Sequence, residues 1–300
     1  MKALVSLLFL LGASTFAVSP PASPNSTPAP HSVSAGVGAT IPASSHVFLM
    51  VEENHSYANV VGNSSMPYFN GLVKKYGLAT QYYANTHPSI GNYFMLTTGQ
   101  VISNNDSLCK TLTQDNLVRH LLTAGKTWKA YAESLPASGY TGCGAYPYAK
   151  KHNPFAYFSD VANSSERFNL VPFTKFASDL ANRTLPNFSF ILPNLLHDAH
   201  DGSLAAADSW LKTNIAPLIN SATFQKDGIL IIVFDESLDS DKQHGGGHVP
   251  AVVIGPKVKP GYKSVALYQH QTTLKTVMKA LGLTSFPGAA GSAPSMADFF

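Results

Sequence analysis

His46-Val47-Phe48-Leu49-Met50-Val51, running into Glu52-Glu53-Asn54-His55-Ser56, decides the fold. Its apolar part is short and continuous, without alternation, which is the signature of a strand covered on both faces in a mainly parallel sheet. Ile229-Leu230-Ile231-Ile232-Val233-Phe234 and Val249-Pro250-Ala251-Val252-Val253-Ile254 read alike, and Phe188-Ser189-Phe190-Ile191-Leu192 is a fourth candidate. Helix-like segments lie between them. Residues 67–76 place Tyr68, Phe69, Leu72 and Val73 on one face, and residues 115–125 do the same with Leu117, Val118, Leu121 and Leu122. Residues 204–219 and 269–281 follow the same pattern. Alternating strands and helices predict one α/β domain, a mainly parallel central sheet with helices on both faces. Residues 133–166, rich in Tyr, Gly and Pro, lack periodicity and are expected to cross over the active face.

The 300 residues are 45% hydrophobic and 12% charged, with a formal charge of +3 and no basic block, so nothing favours nucleic acid or an anionic membrane as a partner. Met1-Lys2-Ala3 before Leu4-Val5-Ser6-Leu7-Leu8-Phe9-Leu10-Leu11 reads as a signal peptide over residues 1–17, implying a secreted or periplasmic protein. No segment reaches the roughly 18 apolar residues of a membrane span. Residues 18–45, dense in Ser, Pro, Ala and Thr, read as a flexible leader, and residues 46–300 as the folded domain. Cys109 and Cys143 suit an exported protein with one disulfide, two free thiols being the other reading.

Three of the strands end in acidic or amide residues: Glu52-Glu53-Asn54, Asp235-Glu236, and Asn194-Leu195-Leu196-His197-Asp198-Ala199-His200-Asp201. In an open α/β sheet ligands bind beyond the carboxyl ends of the strands, so these clusters should meet at one rim. Hard oxygen donors gathered without Lys or Arg call for a cation. His200 and His248, each beside an acidic cluster, can serve as metal ligand, phosphate contact or general acid. Gly245-Gly246-Gly247 before His248 should allow backbone to approach a ligand.

Thr86-His87-Pro88-Ser89-Ile90-Gly91-Asn92-Tyr93 supplies a hydroxyl between a strand and an apolar helix. Unpaired N–H groups at a helix start favour an alkoxide and an oxyanion, although serine there is also an ordinary cap. Together with the acidic strand ends and Gly247-His248-Val249-Pro250, this stretch resembles the phosphoesterase family of secreted acid phosphatases and bacterial phospholipases C, similar in fold to the alkaline phosphatase superfamily. The resemblance spans residues 46–285, with four motifs in family order.

The resemblance implies that Glu53, Asn54, Asp235 and Glu236 hold one divalent metal that also meets Ser89, the nucleophile. His200 and His248 would contact the phosphoryl group or protonate the leaving group. Asn92, Asp198 and Asp201 are expected to bind substrate, with His152, in Lys150-Lys151-His152-Asn153-Pro154, as a further contact. Asp198 and Asp201 also match positions near a second metal site of the superfamily, where this family leans on histidines, so one ion is expected rather than two. His197 departs from the family, which commonly has Asn there. The implied function is a secreted phosphomonoesterase working through phosphoserine, with an acidic optimum set by protonated histidines. A phosphodiesterase or phospholipase C on lipid head groups keeps the same site. A non-catalytic phosphate or metal binder keeps only the fold. An ester hydrolase is disfavoured because Ser89 lacks the Gly-x-Ser-x-Gly elbow.

Overall fold

A computed structural model describes Met1 and residues 39–300. The expected signal segment and most of the expected leader therefore lie outside the described residues. Eight strands form one sheet: β1 (Val47–Glu52), β2 (Gly77–Tyr83), β3 (Trp128–Ala132), β4 (Leu170–Pro172), β5 (Phe188–Leu192), β6 (Ile229–Phe234), β7 (Ala251–Ile254) and β8 (Lys263–Gln269). Their order is β4-β3-β5-β1-β6-β7-β2-β8. Every strand runs the same way except β7, which is antiparallel to β6 and β2. The link from β6 to β7 holds only a 3₁₀ turn at Gln243–Gly245 and no crossover helix, so the chain returns beside its neighbour reversed.

The four apolar runs become β1, β5, β6 and β7, and every residue in these strands is buried. Strand alternation sorts their side chains onto two covered faces. On one, Phe48 packs on Phe176 and Phe224 while Phe234 meets Phe69. These partners come from helices Thr174–Asn182, Ala222–Asp227 and Pro67–Lys75. On the other, Phe190 packs on Phe155 and on Tyr93 of helix Ile90–Thr98. Helices thus cover both faces of a mainly parallel sheet.

Strands β3, β4 and β8 escape a search for apolar runs, as does β2, whose Thr80 and Gln81 interrupt its apolar residues. β3 and β4 are short, and β8 is an edge strand whose Val265 and Leu267 are exposed. Residues 133–166 do cross toward the site, through 3₁₀ turns at Lys150–His152 and Pro154–Tyr157 that bury Phe155 and Tyr157 in the core. A Cys109–Cys143 disulfide with 5.6 Å between Cα atoms ties this excursion to the loop after helix Ile90–Thr98.

The glycine triplet does not face a ligand. Cβ atoms at Gly245 and Gly246 would overlap the carbonyls of Asn85 and Thr86, so these glycines let the 243–248 loop lie against the backbone before Ser89. Gly247 has φ +81°, and a Cβ there would sit 1.8 Å from Ser237 Oγ. Gly247→Ala should therefore lower stability by about 2 kcal/mol or more, from left-handed strain and overlap together. Thermal and urea denaturation check this; a variant as stable as the parent would contradict the packing described.

Candidate active site

The site follows from strand register. In β1 and β6, Glu52 is level with Phe234, so the next residues, Glu53 and Asp235, stand side by side and point to the face opposite Glu52. That is the face covered by helix Ile90–Thr98, which Ser89 precedes at its N-cap. β5 lies on the other side of β1, and its following loop returns Asp198, whose carbonyl accepts from Glu53 N–H at 2.8 Å. The three acidic strand ends belong to three adjacent strands.

Ser89 is buried, and its hydroxyl makes no capping bond to its helix. The hydroxyl lies instead 3.1 Å from Glu53 Oε2 and 3.0 Å from Glu236 Oε1. The side-chain amide of Asn54 reaches the same two carboxylate oxygens, at 3.2 and 2.9 Å. Asn54 has φ 49°, a left-handed conformation asparagine tolerates, and from it the backbone N–H donates to Asp235 Oδ1 at 3.2 Å. Asp235 Oδ2 is buried with no hydrogen-bond partner.

Burial raises the pKa of Glu53, Asp235 and Glu236, and neighbouring carboxylates push Glu53 and Asp235 further. Oxygen donors about 3 Å apart with a spare carboxylate oxygen fit a hard divalent cation held by Glu53, Asn54, Asp235 and Glu236. A second grouping also offers itself: ligand atoms of Glu53, His152 and His200 lie within 4.8 Å of one another.

The remaining candidates divide. His152 is buried, with Nε2 3.2 Å from Glu53 Oε1 and Nδ1 3.3 Å from Asp198 Oδ2, neither in line for a hydrogen bond. Its ring stacks on Tyr93, and burial first, then Lys151 and His200, push its pKa well below the ordinary value. His200 is oriented by Asp201, 2.7 Å from Nδ1, while its backbone N–H donates to Asp198 Oδ1. Asp198 and Asp201 therefore surround the two histidines.

Asn92, expected to bind substrate, spends its amide on the turn before Ser89. Its Oδ1 accepts from Asn85 and Thr86 N–H, and its Nδ2 donates to the Thr86 carbonyl at 2.8 Å. His248, expected at the phosphoryl group, bonds the Thr80 carbonyl at 3.0 Å and stacks between Tyr57 and Tyr83. The antiparallel entry into β7 directs it to β2 rather than to Ser89.

Four residues at the cluster escape the sequence reading. Tyr93 hydroxyl donates to Glu53 Oε1, and His87 Nδ1 lies 2.6 Å from Glu236 Oε2. Both flank the serine within the quoted stretch, and Tyr93, one helical turn from Ser89, shares its face. Asp106 receives the N–H of Ile90 at 3.2 Å and Lys151 Nζ at 2.8 Å. Lys151 adjoins His152, but Asp106 lies in an irregular loop that carries no signal.

A mainly parallel α/β sheet thus carries a buried serine among carboxylates at its rim. The Phosphoesterase family profile matches residues 63–284, and the chain belongs to that family, as a hydrolase acting on phosphoric ester bonds. It is similar to a phosphatidylinositol-3-phosphatase of Mycobacterium tuberculosis, 35% identical over 87% of this chain and 84% of that protein. An acid phosphatase of Aspergillus fumigatus is 31% identical over 78% of this chain, which spans only 54% of that relative. In fold it resembles the phosphonate monoester hydrolase of Silicibacter pomeroyi, with TM-score 0.58 and 12% identity over 85% of this chain and 76% of that one. An alkaline phosphatase superfamily protein from Vibrio parahaemolyticus gives TM-score 0.55 at 14% identity, over 81% and 67% of the two chains.

The buried acids make a pH prediction. Burial pushes Asp198 up to about 7, above the value near 4 of an unfolded carboxyl, so the folded state holds this proton more tightly. Stability present below about pH 4 is then lost as pH climbs toward 7. With a chelator present, the thermal midpoint should fall across that window, and Asp198→Asn should flatten the slope. A flat profile in the parent protein would refute the assignment.

Proposed function

We propose that this protein is an exported, metal-dependent phosphomonoesterase that forms a phosphoserine at Ser89. The observation that carries the reading is the hydroxyl of Ser89, held between Glu53 and Glu236 and making no helix cap. A divalent cation held by Glu53, Asn54, Asp235 and Glu236 would lower the hydroxyl pKa and offset phosphoryl charge.

Ser89 Oγ attacks phosphorus as the bond to the leaving oxygen breaks, and the hydroxyl proton has Glu53 and Glu236 as acceptors. Tyr93 and His87 hold those two carboxylates in place. Asn92 and the glycine triplet keep the serine turn rigid, which suits in-line attack. His200, oriented by Asp201, is the group to protonate the departing alcohol. His152, whose pKa burial pushes down, suits ligation or acceptance better than proton donation. Water then hydrolyses the phosphoserine and releases phosphate. The apolar N-terminal run and the disulfide support export.

Monoesters are favoured because both relatives described above carry phosphatase names. Ser89→Ala should lower kcat on p-nitrophenyl phosphate by on the order of 10³ or more while leaving the thermal midpoint in place. Acid quenching should trap phosphate on Ser89, detectable by mass spectrometry. Full turnover in the alanine variant would move the nucleophile elsewhere. Chelation should abolish activity, and a divalent ion should restore it in step with one bound metal per chain. Activity unchanged by thorough chelation would remove the cation from the reading. Equal rates on the bis-ester or on phosphatidylcholine would favour the diesterase instead.

A further inference from the structure

We propose that Lys151 is a catalytic residue of this site, its ammonium binding a non-bridging oxygen of the transferred phosphoryl group. The inference rests on the reading of Ser89 as nucleophile. Asp106 defines the placement: one oxygen receives the N–H of Ile90, the residue after Ser89, and the other receives Lys151 Nζ at 2.8 Å. The ammonium therefore stands one carboxylate's width from the backbone of the serine turn. On its other side lies His200 Nε2, 3.4 Å away.

Charge gives the reason. Glu53, Asp106, Asp198, Asp201, Asp235 and Glu236 crowd this rim, and one divalent ion cannot balance them. A phosphate monoester approaching such a surface meets repulsion unless another positive group faces it. Among the described residues, Lys151 is the one lysine or arginine bonded to any of these carboxylates. An ammonium has three N–H donors. Asp106 takes one, His200 stands at a long distance from another, and the third has no partner among the described residues. The pair is not sealed in the core, since the Lys151 and Asp106 side chains are 19% and 29% exposed.

The position also accounts for the second grouping of ligand atoms. Glu53, His152 and His200 could hold another cation, and Lys151 stands against the His200 end of that triad. A covalently attached positive charge at this place supplies what a second ion would supply, so the site works with one. The competing role is structural, with Lys151 serving only to neutralise Asp106.

Titration of inorganic phosphate into the metal-loaded protein separates the two. Lys151→Gln keeps a donor for Asp106 but removes the charge; it should weaken phosphate binding about tenfold or more at unchanged metal content. Lys151→Arg should recover most of the affinity. KM for p-nitrophenyl phosphate should rise in parallel in the glutamine variant. Phosphate affinity within about twofold of the parent, with equal metal content, would overturn the proposal. A measurement on the unmodified protein guards against a variant that fails to fold: phosphate should slow acetylation of Lys151 by acetic anhydride, read by mass spectrometry, and no protection would equally overturn it. Phosphate binding needs no covalent step, so loss of the Ser89 nucleophile reading leaves this result interpretable by itself.

Discussion

Glu53 and Asp235 stand next to each other, buried, at the ends of two hydrogen-bonded parallel strands, and the rest of the site answers that constraint. Neither can shed its neighbour, because the pairing of β1 with β6 is set by the apolar core on both faces of the sheet. Two carboxylates brought together out of water resist ionisation strongly. Their environment offsets this only in part: Tyr93 donates to Glu53, and Asn54 N–H to Asp235. The residual demand for positive charge is what would suit the rim to the cation proposed above.

Strand alternation decides which acid takes part. Glu52 is as buried as Glu53, yet it points to the opposite face, near Asp208, where neither of its oxygens finds a partner. Burial first, then the nearby Asp198 and Asp208 carboxyls, push its pKa well up. Two identical adjacent residues thus face different surroundings through a single step along a pleated strand. The serine side is equally determined by backbone. Asn92 clamps residues 85 and 86, the glycines bring the 243–248 loop against them, and Asn54 accepts a left-handed conformation to reach Asp235. Conformational strain collects beside the Ser89 hydroxyl, as is usual where geometry has to be held.

Much of this was legible in residue order. Four apolar runs marked β1, β5, β6 and β7; those of β1 and β6 led directly into acids, and that of β5 into the Asn194–Asp201 loop. The convergence followed from sheet topology alone, since β5, β1 and β6 are neighbours. What could not be read was direction and company. Pro250 and the run after it carry no sign that β7 runs backward, so His248 was expected at the phosphoryl group when it turns to Thr80. Asn92 looked like a ligand because its type and spacing suit one; only coordinates show its amide consumed by the chain. Asp106 and Lys151 meet across a gap of 45 residues through irregular segments, where periodicity gives no guidance.

The disulfide adds a division of labour between the halves of the site. Its partners lie in the two loops that bring Asp106 and Lys151 together, while Glu53, Asp235 and Glu236 leave the sheet directly. A reduced chain would retain the acidic floor, whose shape comes from the hydrophobic interior, but its canopy would lose a covalent tether. The covalent bond thus acts on the loops that bear Asp106 and Lys151 and leaves the strand-borne carboxylates to the sheet.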